Sequence, residues 1–179
     1  LHFGPTNSNS NHFDRAVDFI NEHKPDLMFL TGDYYQWDPD FLHGLPKILA
    51  RIRTKMGIYG CLGNHDYGSC FPGELKNDPF EHGIIKEAFD RHGIKILTNE
   101  HLEMAYNGNR FNLVGLHDLW SGMFDPVHAF EKVDTTLPTL VLSHNPDTAS
   151  IVESDFDLML SGHSHGGQVT WPIVGALSL

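Results

Sequence analysis

Four short apolar runs, each ending in side chains of metal-binding type, constrain this chain more than any other feature. Leu27-Met28-Phe29-Leu30 leads into Thr31-Gly32-Asp33, and Ile58-Tyr59-Gly60-Cys61-Leu62 leads into Gly63-Asn64-His65-Asp66. Thr139-Leu140-Val141-Leu142 leads into Ser143-His144-Asn145-Pro146, and Phe156-Asp157-Leu158-Met159-Leu160 leads into Ser161-Gly162-His163-Ser164-His165-Gly166-Gly167. Runs of this length read as short buried strands when Gly, Pro or Asn bounds them. Parallel strands put their carboxyl ends on one sheet edge, where open α/β sheets place ligands. His2, in Leu1-His2-Phe3-Gly4, ends a fifth run. Widely separated residues are therefore expected to meet at one edge.

Helical spacing fills the intervals. Ser10 is a candidate N-cap for a helix with Phe13, Ala16, Val17, Phe19 and Ile20 on its apolar face, ended by Lys24-Pro25. Further helices are expected over Leu42 to Arg53, from about Asp78 to Arg91, near Pro126 to Lys132, and over Pro146 to Glu153. Ile94 to Leu97, Glu100 to Tyr106, Arg110 to Leu116 and Gln168 to Trp171 read as strands, with Asn107-Gly108 a hairpin turn. Residues 67–79 read as a loop beside the site. The class is α/β, and 179 residues without a repeat or linker suit one domain, 1–179.

A net charge of −11 argues against a broad nucleic-acid or anionic-membrane surface, and two bound divalent cations would offset part of it. Cys61 and Cys70 form no Cys-x-x-Cys pair, so a reduced compartment is the default. No apolar run approaches the length of a membrane-spanning helix, and the first residues do not read as a signal peptide.

An extended His-x-His sends its two rings to opposite faces. His163 and His165 converge only if the backbone bends, and Gly162, Gly166 and Gly167 permit the bend. Carboxylate, carboxamide and imidazole donors together suit Mn²⁺, Fe or Zn²⁺ better than Ca²⁺ or a thiolate-selected metal. The donors are too many for one tetrahedral ion and fit two ions roughly 3.5–4 Å apart, bridged by a carboxylate such as Asp33 and by an acidified water. The remaining histidines, among them His23, His82 and His92, read as solvated. His117-Asp118 is the exception, placed at a strand end where it can line the pocket. Trp120, Met123 and Phe124 read first as core, with a pocket or membrane rim as the alternative.

Leu-His-Phe-Gly, Thr-Gly-Asp, Gly-Asn-His-Asp, Ser-His-Asn-Pro and Gly-His-Ser-His-Gly-Gly-Gln-Val, in that order, resemble the calcineurin-like metallophosphoesterases essentially from end to end. The resemblance implies a two-sheet β-sandwich flanked by helices and a dinuclear phosphoester hydrolase. It makes Asp33 the bridging ligand and gives one ion His2 and His165, the other Asn64, His144 and His163. His65 would face the scissile phosphate, stabilising charge or protonating the leaving oxygen, with Asp66 orienting its ring. Mn²⁺ is the expected metal, with Zn²⁺ or Fe as alternatives. The family's first motif is Asp-x-His, and its Asp would precede Leu1, so either the chain is truncated at the N-terminus, without the first strand and its Asp, or one ligand of the first ion is lost.

The Arg-bearing segments of the family's protein serine/threonine phosphatases are missing, which turns the expectation from monoesters to a phosphodiester or pyrophosphate. Ser-His-Asn-Pro-Asp with His-Gly-Gly-Gln-Val is similar to a bacterial branch of membrane-associated phosphodiesterases, including hydrolases that split UDP-diacylglucosamine in lipid A assembly. That similarity implies a lipid-linked substrate and a cytoplasmic location with peripheral contact at the inner face of a membrane, and the net charge argues for no nucleic-acid partner. A nucleotide or generic phosphodiesterase is the alternative, and a non-catalytic scaffold of the same fold a third reading.

Overall fold

The computed structural model describes residues 2–3, 10–35, 42, 44–69, 81–167, 170–171 and 175–176. Two sheets carry the fold. The first is parallel, in the order β1 (Met28–Leu30), β2 (Ile58–Gly60), β3 (Ile94–Ile96). The second has the order β4 (Glu100–Tyr106), β5 (Asn109–Gly115), β6 (Thr139–Leu142), β7 (Leu158–Leu160). In it β4 runs antiparallel to β5, while β5, β6 and β7 are mutually parallel. A separate antiparallel pair joins β8 (Thr170–Trp171) to β9 (Gly175–Ala176).

The period-2 geometry of a strand assigns its side chains to layers. Met28 and Leu30 of β1 face a cluster with Val17 and Leu49, whereas Phe29 between them faces the space between the sheets. Leu140 and Leu142 of β6 and Leu160 of β7 meet Phe29 there, with Cys61, Leu97 and Leu113. Val141 and Met159 point the other way, towards Ala129 and Phe130. The layers are therefore helices, sheet, sheet, helix. Helices α1 (Ser10–His23), α2 (Gly44–Leu49) and α3 (Glu81–Asp90) cover the first sheet, and α4 (Pro126–Phe130) the second.

The hairpin turn is as expected: Asn107 and Gly108 have φ of 50° and 80°, the left-handed pair that a type I′ turn requires. Other local expectations change. The helix expected over Leu42 to Arg53 is confined to Gly44–Leu49, with Pro46 in its first turn where no N–H is needed. The helix expected over Pro146 to Glu153 is a 3₁₀ turn, Pro146–Ser150, capped by the Asn145 side chain. Phe19 is 62% exposed and lies against His23 instead of the core. The run Phe156 to Leu160 is not a buried strand: β7 pairs with β6, and Leu158 is 48% exposed. Gln168, Val169, residues 4–9 and most of the expected loop over 67–79 lie outside the described residues.

Candidate metal centre

The turn after β1 places Asp33, 3% exposed, between two groups of imidazoles. Its Oδ2 lies 3.4 Å from His2 Nε2 and 3.2 Å from His144 Nε2. Its Oδ1 accepts a hydrogen bond from the backbone N–H of His65 at 3.1 Å. One carboxylate thus ties the β1 turn to the β2 turn and leaves its other oxygen facing both imidazole groups.

On one side His2 Nε2 and His165 Nε2 are 3.1 Å apart. His2 reaches that place because its N–H donates to the Asp33 carbonyl at 2.7 Å and Phe3 N–H to the Tyr34 carbonyl at 2.7 Å, and Phe3 forms an isolated parallel bridge with Tyr35. On the other side His163 Nδ1 lies 3.0 Å from Asn64 Oδ1 and 3.2 Å from His144 Nε2.

Supporting contacts set which atom each donor presents. Asn64 Nδ2 donates to the Ser69 carbonyl at 2.8 Å, which turns Oδ1 towards His163. His144 Nδ1 faces the Thr31 carbonyl, an acceptor only, so Nδ1 carries the proton and Nε2 points to Asp33 and His163. A Cβ at Gly63 would stand 2.6 Å from Asp33 N and 2.8 Å from His144 Cε1, so only glycine lets the two turns approach this closely.

For His2, Asp33 and His163, electrostatics favour ligand-competent forms. Burial pushes His2 down to about 4 and lowers His65 and His163, so these rings are neutral with free lone pairs near neutral pH. Burial opposes ionisation of Asp33, but the hydrogen bond and charge of His144, with His65 and His2, hold its carboxyl well below the usual range. Against its own burial, His144 is held above the ordinary imidazole value by Asp33 and the Thr31 carbonyl.

The backbone is strained at the same residues. Of seven described non-glycine residues with positive φ, four are His2 (49°), Asp33 (54°), His163 (66°) and His165 (48°). Left-handed backbone is unfavourable for such residues and persists where surrounding structure imposes it, which occurs mostly at functional sites. The bend that brings His163 and His165 together therefore lies in the histidines themselves as well as in Gly166, φ 62°. Gly162 contributes closeness instead, since a Cβ there would meet the Thr31 carbonyl at 3.2 Å and His144 Nδ1 at 3.3 Å.

Close imidazole nitrogens, a shared carboxylate and an aimed carboxamide fit two divalent ions held by N and O donors. His2, Asp33 and His165 would hold one ion, and Asp33, Asn64, His144 and His163 the other. An open cavity of about 560 Å³ borders His2, Asp33, His144, His163 and His165. A second, of about 590 Å³, lies at the amino ends of β6 and β7 by Thr139 and Asp157, and no imidazole lines it.

His65 is half-buried, its ring 4.8 Å from that of His2, and its ligand atom lies within 4.8 Å of those of His2 and Asp33. The geometry admits it as a ligand as well as a group facing substrate. Asp66 is 1% exposed; its Oδ1 accepts from the backbone N–H of Tyr34 (2.8 Å) and Tyr35 (3.3 Å), and its Oδ2 from Gly63 N–H (2.9 Å). It braces the two turns that carry Asp33 and His65.

Trp120, Met123 and Phe124 separate. Met123 packs on the first core cluster and Phe124 on the outer one, whereas the Trp120 ring meets His163 at 4.6 Å. His117 Nδ1 lies within hydrogen-bonding distance of the Tyr67 hydroxyl, 2.5 Å, and His82, expected to be solvated, stacks on Tyr67. Sequence reasoning missed Thr31, which acts through its carbonyl and leaves no signal in side-chain type.

A family model described as calcineurin-like phosphoesterase matches residues 1–167. A phosphodiesterase of Escherichia coli, YaeI, is 38% identical over 86% of this chain and 54% of its own length. A UDP-2,3-diacylglucosamine pyrophosphatase of Chlamydia muridarum, LpxG, is 29% identical over 86% of this chain and 57% of its own. The chain spans about half the length of these relatives. Among solved structures, Haemophilus influenzae NAD nucleotidase superposes with a TM-score of 0.59 at 14% identity, over 85% of this chain and 32% of that one, a likeness of fold alone.

Proposed function

The chain belongs to the calcineurin-like phosphoesterases, and on that premise we propose that it is the catalytic region of a dinuclear metal-dependent phosphodiesterase or pyrophosphatase. The observation that carries this reading is the position of Asp33 Oδ2, 3.4 Å from His2 Nε2 on one side and 3.2 Å from His144 Nε2 on the other. Two divalent ions, when bound, supply an acidified water and positive charge at the phosphoryl oxygens. The mixed N and O donor set suits Mn²⁺, and Zn²⁺ or Fe are close alternatives.

The residues of the chain then have separable tasks. Asp33, Asn64, His144 and His163 hold one side of the centre, and His2, Asp33 and His165 the other. His65, beside His2, faces the phosphoryl group and donates a hydrogen bond to the leaving oxygen. Asp66 keeps the His65 turn in register with the Asp33 turn through its backbone hydrogen bonds.

The substrate we favour is a UDP-linked diacylated sugar cleaved at its P–O–P linkage, on the strength of the LpxG likeness. Such a substrate lies in a membrane, so the site would work at its cytoplasmic face through peripheral contact. Among the described residues no helix is long and apolar enough to cross a membrane. The higher identity to the phosphodiesterase YaeI supports a second reading, a phosphodiesterase of broader range.

The test is hydrolysis by the full-length protein, with Mn²⁺ or Zn²⁺, of p-nitrophenyl phosphate, bis(p-nitrophenyl) phosphate and UDP-2,3-diacylglucosamine. The expected order is UDP-lipid, then diester, then monoester. Diester turnover without UDP-lipid turnover selects the second reading. Preference for the monoester, or no metal-dependent turnover of any substrate, overturns both.

A further inference from the structure

We propose that Trp120 is a positioning residue that clamps His163, so that metal affinity on the His163 side of the centre depends on a residue without a ligand atom. The proposal rests on the reading of His163 as a ligand. The indole and imidazole rings lie 4.6 Å apart at 88°, a perpendicular arrangement that aromatic pairs favour. His163 needs such a partner. It has a left-handed backbone (φ 66°), follows an edge strand, and precedes Ser164, His165 and Gly166, which are all exposed. Among the described residues its other ring neighbour is His144, at 5.1 Å and 80°.

Trp120 is well placed to supply the restraint because its loop is anchored. Asp118, 0% exposed, accepts at Oδ1 from the Trp120 N–H (2.8 Å) and at its carbonyl from the Ser121 N–H (3.0 Å). Ser121 Oγ accepts from the Met123 N–H, and Asn99 Nδ2 donates to the Met123 carbonyl, which ties the loop to the connection between β3 and β4. This loop leaves β5, while His163 leaves β7. The contact therefore spans β6, whose own end carries His144, the neighbour of His163 at 3.2 Å. Ring packing on one side and the Asn64 and His144 atoms on the other fix both the plane and the reach of His163 Nδ1.

Residues that orient ligands typically change metal affinity by 10- to 100-fold when lost. The experiment measures Mn²⁺ binding to the full-length protein by calorimetry and elemental analysis, with the melting temperature of the metal-free form as a control. Trp120→Leu, which fills much of the volume without an aromatic face, is expected to weaken one Mn²⁺ site about 10- to 100-fold while the metal-free melting temperature changes little. Trp120→Phe should restore affinity. Mn²⁺ should also quench part of the tryptophan emission on binding, and Trp120→Phe should remove that part. His163→Ala is the reference and should lose one ion. If His163→Ala retains both ions, the ligand reading fails; if it loses one while Trp120→Leu binds Mn²⁺ normally, the clamp alone is overturned. Equal losses in Trp120→Leu and Trp120→Phe with a lowered melting temperature also overturn it, because they mark general packing.

Discussion

His144 Nδ1 lies 2.6 Å from the carbonyl oxygen of Thr31, a contact that joins the end of β6 in one sheet to the end of β1 in the other. It fixes the tautomer of a ring that is 2% exposed and directs Nε2 to Asp33 and His163. The same hydrogen bond holds the two sheets together at the edge where the donors gather, so the residue proposed as a metal ligand also aligns the sheets.

His144→Ala is therefore expected to act on both. Elemental analysis should find one ion where the parent holds two. Urea unfolding of the metal-free protein should lose about 1–3 kcal/mol, because a buried ring is removed and the part-buried Thr31 carbonyl loses its donor. Full metal occupancy in this variant would remove His144 from the ligand set.

His65 separates from the ligands by a different signature. His65→Ala should retain metal and lower kcat by roughly 10²–10⁴-fold, the usual size of a general-acid or electrostatic contribution. Loss of a stoichiometric ion would instead assign His65 to the first ion with His2 and Asp33, an arrangement that the 4.8 Å spacing allows.

Asp66 offers a stability test. Burial pushes its carboxyl up to about 7, against the backbone N–H groups of Gly63 and Tyr34 that stabilise the charge. Asp66→Ala removes the acceptor of three backbone hydrogen bonds and should cost about 3 kcal/mol or more in urea unfolding, with weaker metal binding. A variant with normal stability and metal content but low kcat would return the residue to a role on the His65 ring.

Acid should destabilise the metal-free protein in part through His117. Burial, helped by His82 and Lys86, pushes this ring down to about 4 from its ordinary 6.5. Between those values the unfolded chain binds more protons than the folded one, so stability from this group is present above the window and falls as pH drops through it. Urea midpoints at about pH 7.5 and about pH 5 should differ less in His117→Asn than in the parent. An identical difference would show that His117 does not titrate as described.

Much of the centre was legible because it obeys local rules. Short apolar runs ending in Asp33, Asn64, His144 and His163 mark strand ends by composition alone, and parallel pairing puts such ends on one edge. The hairpin at Asn107-Gly108 was legible for the same reason: its turn depends on two adjacent residues that tolerate positive φ. The exposed face of β7 was not legible. Leu158-Met159-Leu160 is apolar enough to be buried, and only the order of strands decides that it pairs with β6 and leaves Leu158 half exposed.

The sequence by itself determined the donor types, their order and the βα units that deliver them, since these follow from periodicity and side-chain chemistry over a few residues. Tertiary structure alone decided which atom each donor presents and what holds it there. Asp66 acts on backbone 31 and 32 residues away, the Thr31 carbonyl sets a histidine 113 residues later, and Trp120 meets His163 across the end of β6. The first of these joins the ends of β1 and β2 within one sheet, the last joins the ends of β5 and β7 within the other, and the Thr31–His144 contact spans the two sheets; strand order and the placement of one sheet on the other leave no periodicity in the chain for a reader to find.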